Sequence, residues 1–178
     1  GIINVGAKLI GDSSIGPYCK AGGEISNSIM LEYSNKVHYG FMGNSLLGAW
    51  CNIGAGTNTS NLKNNYSKIK VWNYHEKQFT SSNQQFCGLT MGDHSKCSIQ
   101  TAFNTGTVVG VGSNIFGEGF PPKFIPSFSW GFGGNHRFED FLKTATLVLQ
   151  RKNKVLGDME KDMLAHIYHT TEPFREKK

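Results

Sequence analysis

Apolar residues recur along this chain at intervals of six. Met91, Cys97, Phe103, Val109 and Ile115 form one such series. Phe41, Leu47, Ile53 and Thr59 form a second, and Ile3, Leu9, Ile15 and Ala21 a third. A small residue often follows: Gly16, Gly22, Gly48, Gly54, Gly92, Ser98 and Gly110. An amphipathic helix needs apolar positions three and four apart, and a half-buried strand alternates every two. A period of six fits neither. It predicts one flat side of a coil, in which a short strand turns one residue inward and then meets a corner. Three sides close a triangular turn, so that Met91 stacks under Val109 and Cys97 under Ile115. The predicted fold is therefore all-β, a left-handed parallel β-helix of hexapeptide repeats. Each coil completes its core only against its neighbours.

The three series do not share one register. The break between Ala21 and Phe41 predicts irregular residues there. A longer break after Thr59 is rich in Asn and predicts an extruded loop over about 60–90. The β-helix is expected over 1–119. From about Phe120 the repeat stops, and the Pro- and aromatic-rich run to Gly131 predicts an exit segment over 120–135 that covers the open end of the coil. Helices are expected over 136–178. Phe138, Phe141, Leu142, Ala145 and Leu149 make one apolar stripe at helical spacing, and Leu156, Met159, Met163, Leu164 and Ile167 a second. The coil is already running at Ile3, so a further segment is expected upstream of residue 1.

Composition adds little to the fold but narrows the partners. Gly is over-represented at 22 residues spread through the repeats, as many tight corners require. The net charge of +5 points to an anionic ligand. Part of it sits in Arg151, Lys152, Lys154, Arg175, Lys177 and Lys178, which read as a solvated helix face and tail. No aromatic-interleaved basic stripe argues for nucleic acid, and no long apolar run argues for a membrane. Cys19, Cys51, Cys87 and Cys97 form no Cys-x-x-Cys pair and no zinc spacing. They read as free thiols of a cytoplasmic protein, and no metal is expected.

The segment Gly40 to Asn61, and within it Asn-Ile-Gly-Ala-Gly-Thr at Asn52 to Thr57, resembles the C-terminal domain of bifunctional enzymes that acetylate glucosamine-1-phosphate and then uridylate it. The runs Asn61 to Val71 and Gly92 to Thr101 are similar to archaeal sugar-1-phosphate nucleotidylyltransferases of that superfamily. The whole pattern, including Phe124 to Gly131, resembles Bacteroidetes-type sugar nucleotidyltransferases. The likeness covers about Gly6 to Gly131. It implies an N-terminal nucleotidyltransferase domain absent from this chain. It further implies a homotrimer with acetyl-CoA and sugar-phosphate sites between subunits.

By that resemblance His38 falls on the family's catalytic histidine. A neutral imidazole suits the task, since an amine attacking a thioester must lose a proton. Glu24 matches an acidic position near the sugar and would orient His38 or the amino group. Asn52 and Asn61 match positions lining the sugar and acyl groups. Ala55 and Gly56 would offer backbone N–H groups to the developing oxyanion. Lys63, Lys68 and Lys70 in or beside the loop are candidates for phosphate binding, and Lys123 for coenzyme A. His94 matches the archaeal pattern without a mechanistic role. Ser26 and Asn27 stand where the family has a lysine pair, and Phe41 replaces a tyrosine. Lys8, Lys20 or Lys36 are the lysines at hand to compensate. Two functions follow as expectations: an acetyl-CoA-dependent N-acetyltransferase acting on an amino-sugar phosphate, or a non-catalytic domain that trimerises or binds a regulatory nucleotide sugar.

Overall fold

A computed structural model describes residues 1–175; Lys177 and Lys178 of the basic tail lie outside the described residues. The chain winds as a parallel β-helix with three faces. The first face runs through Ile2–Ile3, Lys20–Ala21, Asn35–Lys36, Asn52–Ile53, Lys96–Cys97, Asn114–Ile115 and Ser129–Trp130, and ends on the antiparallel Gly134–Asn135. The second runs through Lys8–Ile10, Glu24–Ser26, Phe41–Gly43, Asn58–Thr59 and Ala102–Phe103. The third runs through Ser14–Ile15, Ile29–Met30, Leu46–Leu47, Thr90–Met91, Val108–Val109 and Phe124–Ile125.

The six-residue period does what the pattern predicts. Leu47, Ile53, Met91, Cys97, Phe103, Val109 and Ile115 are all buried in one continuous core. Cys97 lies in register with Ile115 and Met91 with Val109. Two inward positions behave differently. Ile3 and Leu9 pair with the buried Ala21 and Ile25 but remain 49% and 44% exposed, because no coil lies on their other side among the described residues. Phe41 is a correction. The inward residue of its strand is Met42, in register with Ile25 and Thr59, and Phe41 lies on the outer face. The corner from Met42 to Leu47 is one residue shorter than the repeat, which shifts the register.

The coil also continues past Phe120. Phe124–Ile125 pairs in parallel with Val108–Val109, and Ser129–Trp130 with Asn114. The longer, Pro-containing step from Ile115 to Ile125 hides this turn from a six-residue pattern. After Thr59 the chain leaves the coil, forms the antiparallel hairpin Lys70–Asn73/Gln78–Ser81, and returns at Thr90.

Two helices follow. Helix α1 (Phe138–Gln150) buries Phe141, Ala145 and Leu149. Helix α2 (Asp158–Thr170) buries Leu164 alone; of the predicted stripe Ile167 also packs inward, while Met159 and Met163 are 86% and 54% exposed and Tyr168 turns inward in their place. Arg175 is not part of a solvated tail. It is buried, donates to the Ser127 and Tyr168 carbonyls, and stacks over the Tyr168 ring at 4.2 Å. Among the described residues no helix is long and apolar enough to cross a membrane.

The corner leading onto the first face carries an aromatic ladder. Tyr18, Tyr33, Trp50 and His94 all adopt φ near +60° there. Tyr33 stacks on Tyr18 at 4.7 Å and on Trp50 at 4.0 Å, and Trp50 lies parallel to His94 at 6.3 Å. Side chains rarely adopt this backbone conformation, and stacking offsets part of the strain. One coil further the corner residue is Gly112 (φ +67°), where a Cβ would meet Phe128 at 2.8 Å and Phe141 at 2.9 Å. Glycine there lets helix α1 insert Phe141 into the ladder.

Candidate active site

The candidate residues gather at two different corners of the prism. His38 lies just before the second-face strand Phe41–Gly43, with its side chain exposed. Directly on it, one coil on, lies the corner Ala55–Gly56. The Gly56 N–H donates to the Tyr39 carbonyl at 2.9 Å, and the Phe41 N–H donates to Asn58 Oδ1 at 2.8 Å. At Gly40 (φ +125°) a Cβ would strike the Thr57 carbonyl, so only glycine permits the two corners to stack this closely. Gly56 is therefore engaged and cannot serve as an oxyanion donor without losing that bond. The Ala55 carbonyl accepts from Gln100 N at 2.7 Å, while its own N–H makes no hydrogen bond among the described residues. Glu24 sits one coil on the other side, half-buried and in register with Phe41. Its carboxylate is in none of the ion pairs of the described residues.

Behind His38 the core holds a charge that sequence reasoning placed elsewhere. Lys36 points inward and is 2% exposed. Its Nζ donates to the Gly22 carbonyl at 3.2 Å and to the His38 carbonyl at 2.9 Å. Ala21, its neighbour in register, is small enough to leave room for the alkyl chain. Burial pushes the Lys36 ammonium down to about 8, with Cys97 acting weakly in the opposite sense. Lys36 is thus no substitute for a surface lysine pair. At the positions of that pair, Asn27 Nδ2 donates to Ser26 Oγ at 3.2 Å and its Oδ1 accepts from the Asp12 N–H, so these residues build a corner.

Asn52 is exposed on the first face between Asn35 and Lys96. Asn61 lies at the far end of the second face, donating to Asn44 Oδ1 at 2.7 Å. The Phe41 ring reaches across Gly43 towards it: a Cβ on Gly43 would touch both the ring and Asn61 Nδ2.

The second cluster lies beyond that end, where the extruded segment folds back. Lys63, Lys70, Lys123, Phe79, Pro122 and Phe124 line a cleft of 620 Å³. Lys123 Nζ donates to the Lys70 carbonyl at 3.1 Å, and Lys63 Nζ to Ser67 Oγ and the Lys68 carbonyl, both at 3.4 Å. Burial, then the nearby Lys63 charge, lowers the Lys123 ammonium below its ordinary value. Such crowding of cations in a largely apolar cleft favours an anion. Lys68 is exposed and reaches Asn83 at 3.4 Å, and it does not line this cleft. The structure therefore brings together three of the four candidate lysines, and separately His38 with Ala55 and Gly56.

The thiols are free, as expected, and burial pushes each upward, Cys51 to about 12. They are not poised as nucleophiles.

No protein-family model matches the chain. Over 93 residues it is 36% identical to the bifunctional protein GlmU of Methanocaldococcus jannaschii, covering 52% of this chain and 22% of that protein. It is 38% identical over 68 residues to GlmU of Trichodesmium erythraeum, 35% of this chain and 14% of the relative. A match of 28% over 93 residues, 52% of this chain and 23% of the relative, joins it to a bifunctional sugar-1-phosphate nucleotidylyltransferase/acetyltransferase of Sulfurisphaera tokodaii. The chain thus spans under a quarter of the length of these curated relatives. The class defined by coil and matches is a β-helical domain similar to part of a bifunctional sugar-phosphate transferase. The particular relatives are the GlmU proteins, in agreement with the resemblance read from the residues.

Proposed function

We propose that this chain is the acetyl-CoA-dependent N-acetyltransferase domain of a sugar nucleotidyltransferase, acting on an amino-sugar phosphate. The observation that carries the reading is the stacking of the exposed His38 corner on Ala55–Gly56, the segment that matches the acetyltransferase motif. His38 takes the proton from the attacking amine and passes it to the coenzyme A thiolate as the carbon–sulfur bond breaks. The Ala55 N–H, rather than that of Gly56, faces the thioester oxygen as it becomes an oxyanion. Glu24, one coil away, holds the imidazole or the amino group.

The lysine cleft holds phosphates of the acyl donor or of the sugar. It lies at a different corner from His38, so a homotrimer is part of the proposal: a neighbour's cleft completes the site. Light scattering tests this, and a monomer over a wide concentration range would remove the composite site.

A second reading has a specific observation behind it. Ser26 and Asn27 build a corner where the resemblance expects a lysine pair, and the ring of Phe41, beside Asn61, has no hydroxyl where it expects a tyrosine. A domain that only trimerises, or binds a regulatory nucleotide sugar, would tolerate this. Acetyl-CoA consumption against a panel of amino-sugar phosphates separates the two readings.

A further inference from the structure

On the other side of the coil, between the first face and helix α1, lies a small cavity of 90 Å³ whose polar lining includes His94, Lys96, Asn114 and His136. Trp130 and Phe141 supply apolar walls. It lies apart from both candidate clusters.

His94 is 9% exposed, and its Nδ1 is buried with no hydrogen-bond partner. Its ring is parallel to Trp50 on one side and edge-on to Phe141 at 5.8 Å on another. Such packing restrains the ring, and the orphaned nitrogen belongs to a residue that lines the cavity. An orphaned buried nitrogen costs free energy unless something else satisfies it.

Lys96 supplies a charge without a counter-charge. Its Nζ donates once, to the His94 carbonyl at 3.0 Å, and an ammonium has two further N–H groups to give. The ion pairs among the described residues all lie between exposed residues of α1, α2 or the residue before α1, and none involves Lys96. His136 has Nδ1 at 3.3 Å from the Gly112 carbonyl, so that nitrogen carries the proton.

Two carboxylates lie nearby, but neither lines the cavity, although Asp140 acts on His136 in the raising sense. Asp93 accepts from the Ala49 N–H at 2.9 Å. Asp140 pairs with Arg137 and Lys143. Cys51 is pushed up to about 12 and stays a thiol. Burial and the Lys96 charge lower His94 to about 4 and also lower His136, while burial lowers Lys96 itself. A bound anion would oppose all three shifts.

We propose that this cavity is a binding site for a small oxyanion, a carboxylate or phosphate group, held by Lys96 with His94 and Asn114 as further donors. Its size excludes a nucleotide and admits an ion of acetate or phosphate dimensions. The proposal does not depend on acetyl transfer.

The test is direct titration of the full chain with sodium acetate and with inorganic phosphate, at constant ionic strength set by sodium chloride. Histidine side-chain NMR and thermal unfolding are the readouts. Saturable movement of the His94 ring signals, with a higher apparent His94 pKa and a raised Tm, is the expected result. In Lys96→Met the affinity falls at least about tenfold, as loss of a charge-assisted bond implies. Asn114→Ala, on an outward position, is the second variant should Lys96→Met fold poorly, and it too weakens binding. His94 signals that ignore both ions, or respond equally in wild type and variants, overturn the proposal and leave an ordered water as the cavity's occupant.

Discussion

Replacing Lys36 by Met tests whether the core of this β-helix really contains a cation. In the folded protein the Lys36 ammonium titrates at about 8, against 10.5 for the free side chain. A gap of about 2.5 pH units, at 1.36 kcal/mol per unit, corresponds to about 3 kcal/mol. Below pH 8 both states hold the proton, and the folded state bears the full cost of burying it. Between pH 8 and 10.5 the unfolded chain binds more protons than the folded one, so this residue makes stability rise with pH. Lys36→Met removes that rise. Near neutrality the relief of the charge is offset by two carbonyls, of Gly22 and His38, left without their donor at about 1–3 kcal/mol each. The clean readout is therefore the difference between the two proteins across pH. Urea unfolding from pH 7 to 10.5 should show the wild type gaining on the variant by about 3 kcal/mol. Other lysines and tyrosines titrate in both proteins and cancel. Cys97, the group that acts on Lys36 and that burial pushes upward, is the exception to watch. Parallel pH curves for the two proteins would refute a buried, perturbed Lys36.

Three further outcomes are expected. Val109→Ala should cost on the order of 1–3 kcal/mol in chemical unfolding through lost burial and a residual cavity. Phe141→Ala should cost about 3–5 kcal/mol and release α1 selectively in hydrogen exchange, because that ring fills the ladder position opposite Gly112. Lys123→Met should weaken coenzyme A binding by about tenfold in calorimetry with little loss of stability, since its ammonium lines the cleft.

The coil was legible wherever the inward residue was apolar and the spacing strict, as from Met91 to Ile115. It was obscured where a corner changed length, which displaced Phe41 by one position. Lys36 has a signal in the sequence: it stands six residues after Met30 and six before Met42, an inward position occupied by a cation. The lysine cleft had no local signal, because Lys63 and Lys123 meet only when the extruded segment folds back over a later coil. The His94 cavity depends on helix α1 docking against the first face, a contact with no trace in either segment alone. His94 stood out in the sequence as a positional match. Its burial sets it apart from the exposed His75 on the hairpin, which serves as a control for catalysis.

The central claim is that His38 is the general base of an acetyl transfer. Acetyl-CoA turnover by the full chain should be measured with amino-sugar phosphates, for wild type, His38→Ala and His75→Ala. The account predicts turnover by wild type and His75→Ala, and a loss of about 10²–10⁴ in kcat for His38→Ala with KM little changed. A folded His38→Ala protein with undiminished turnover would contradict it.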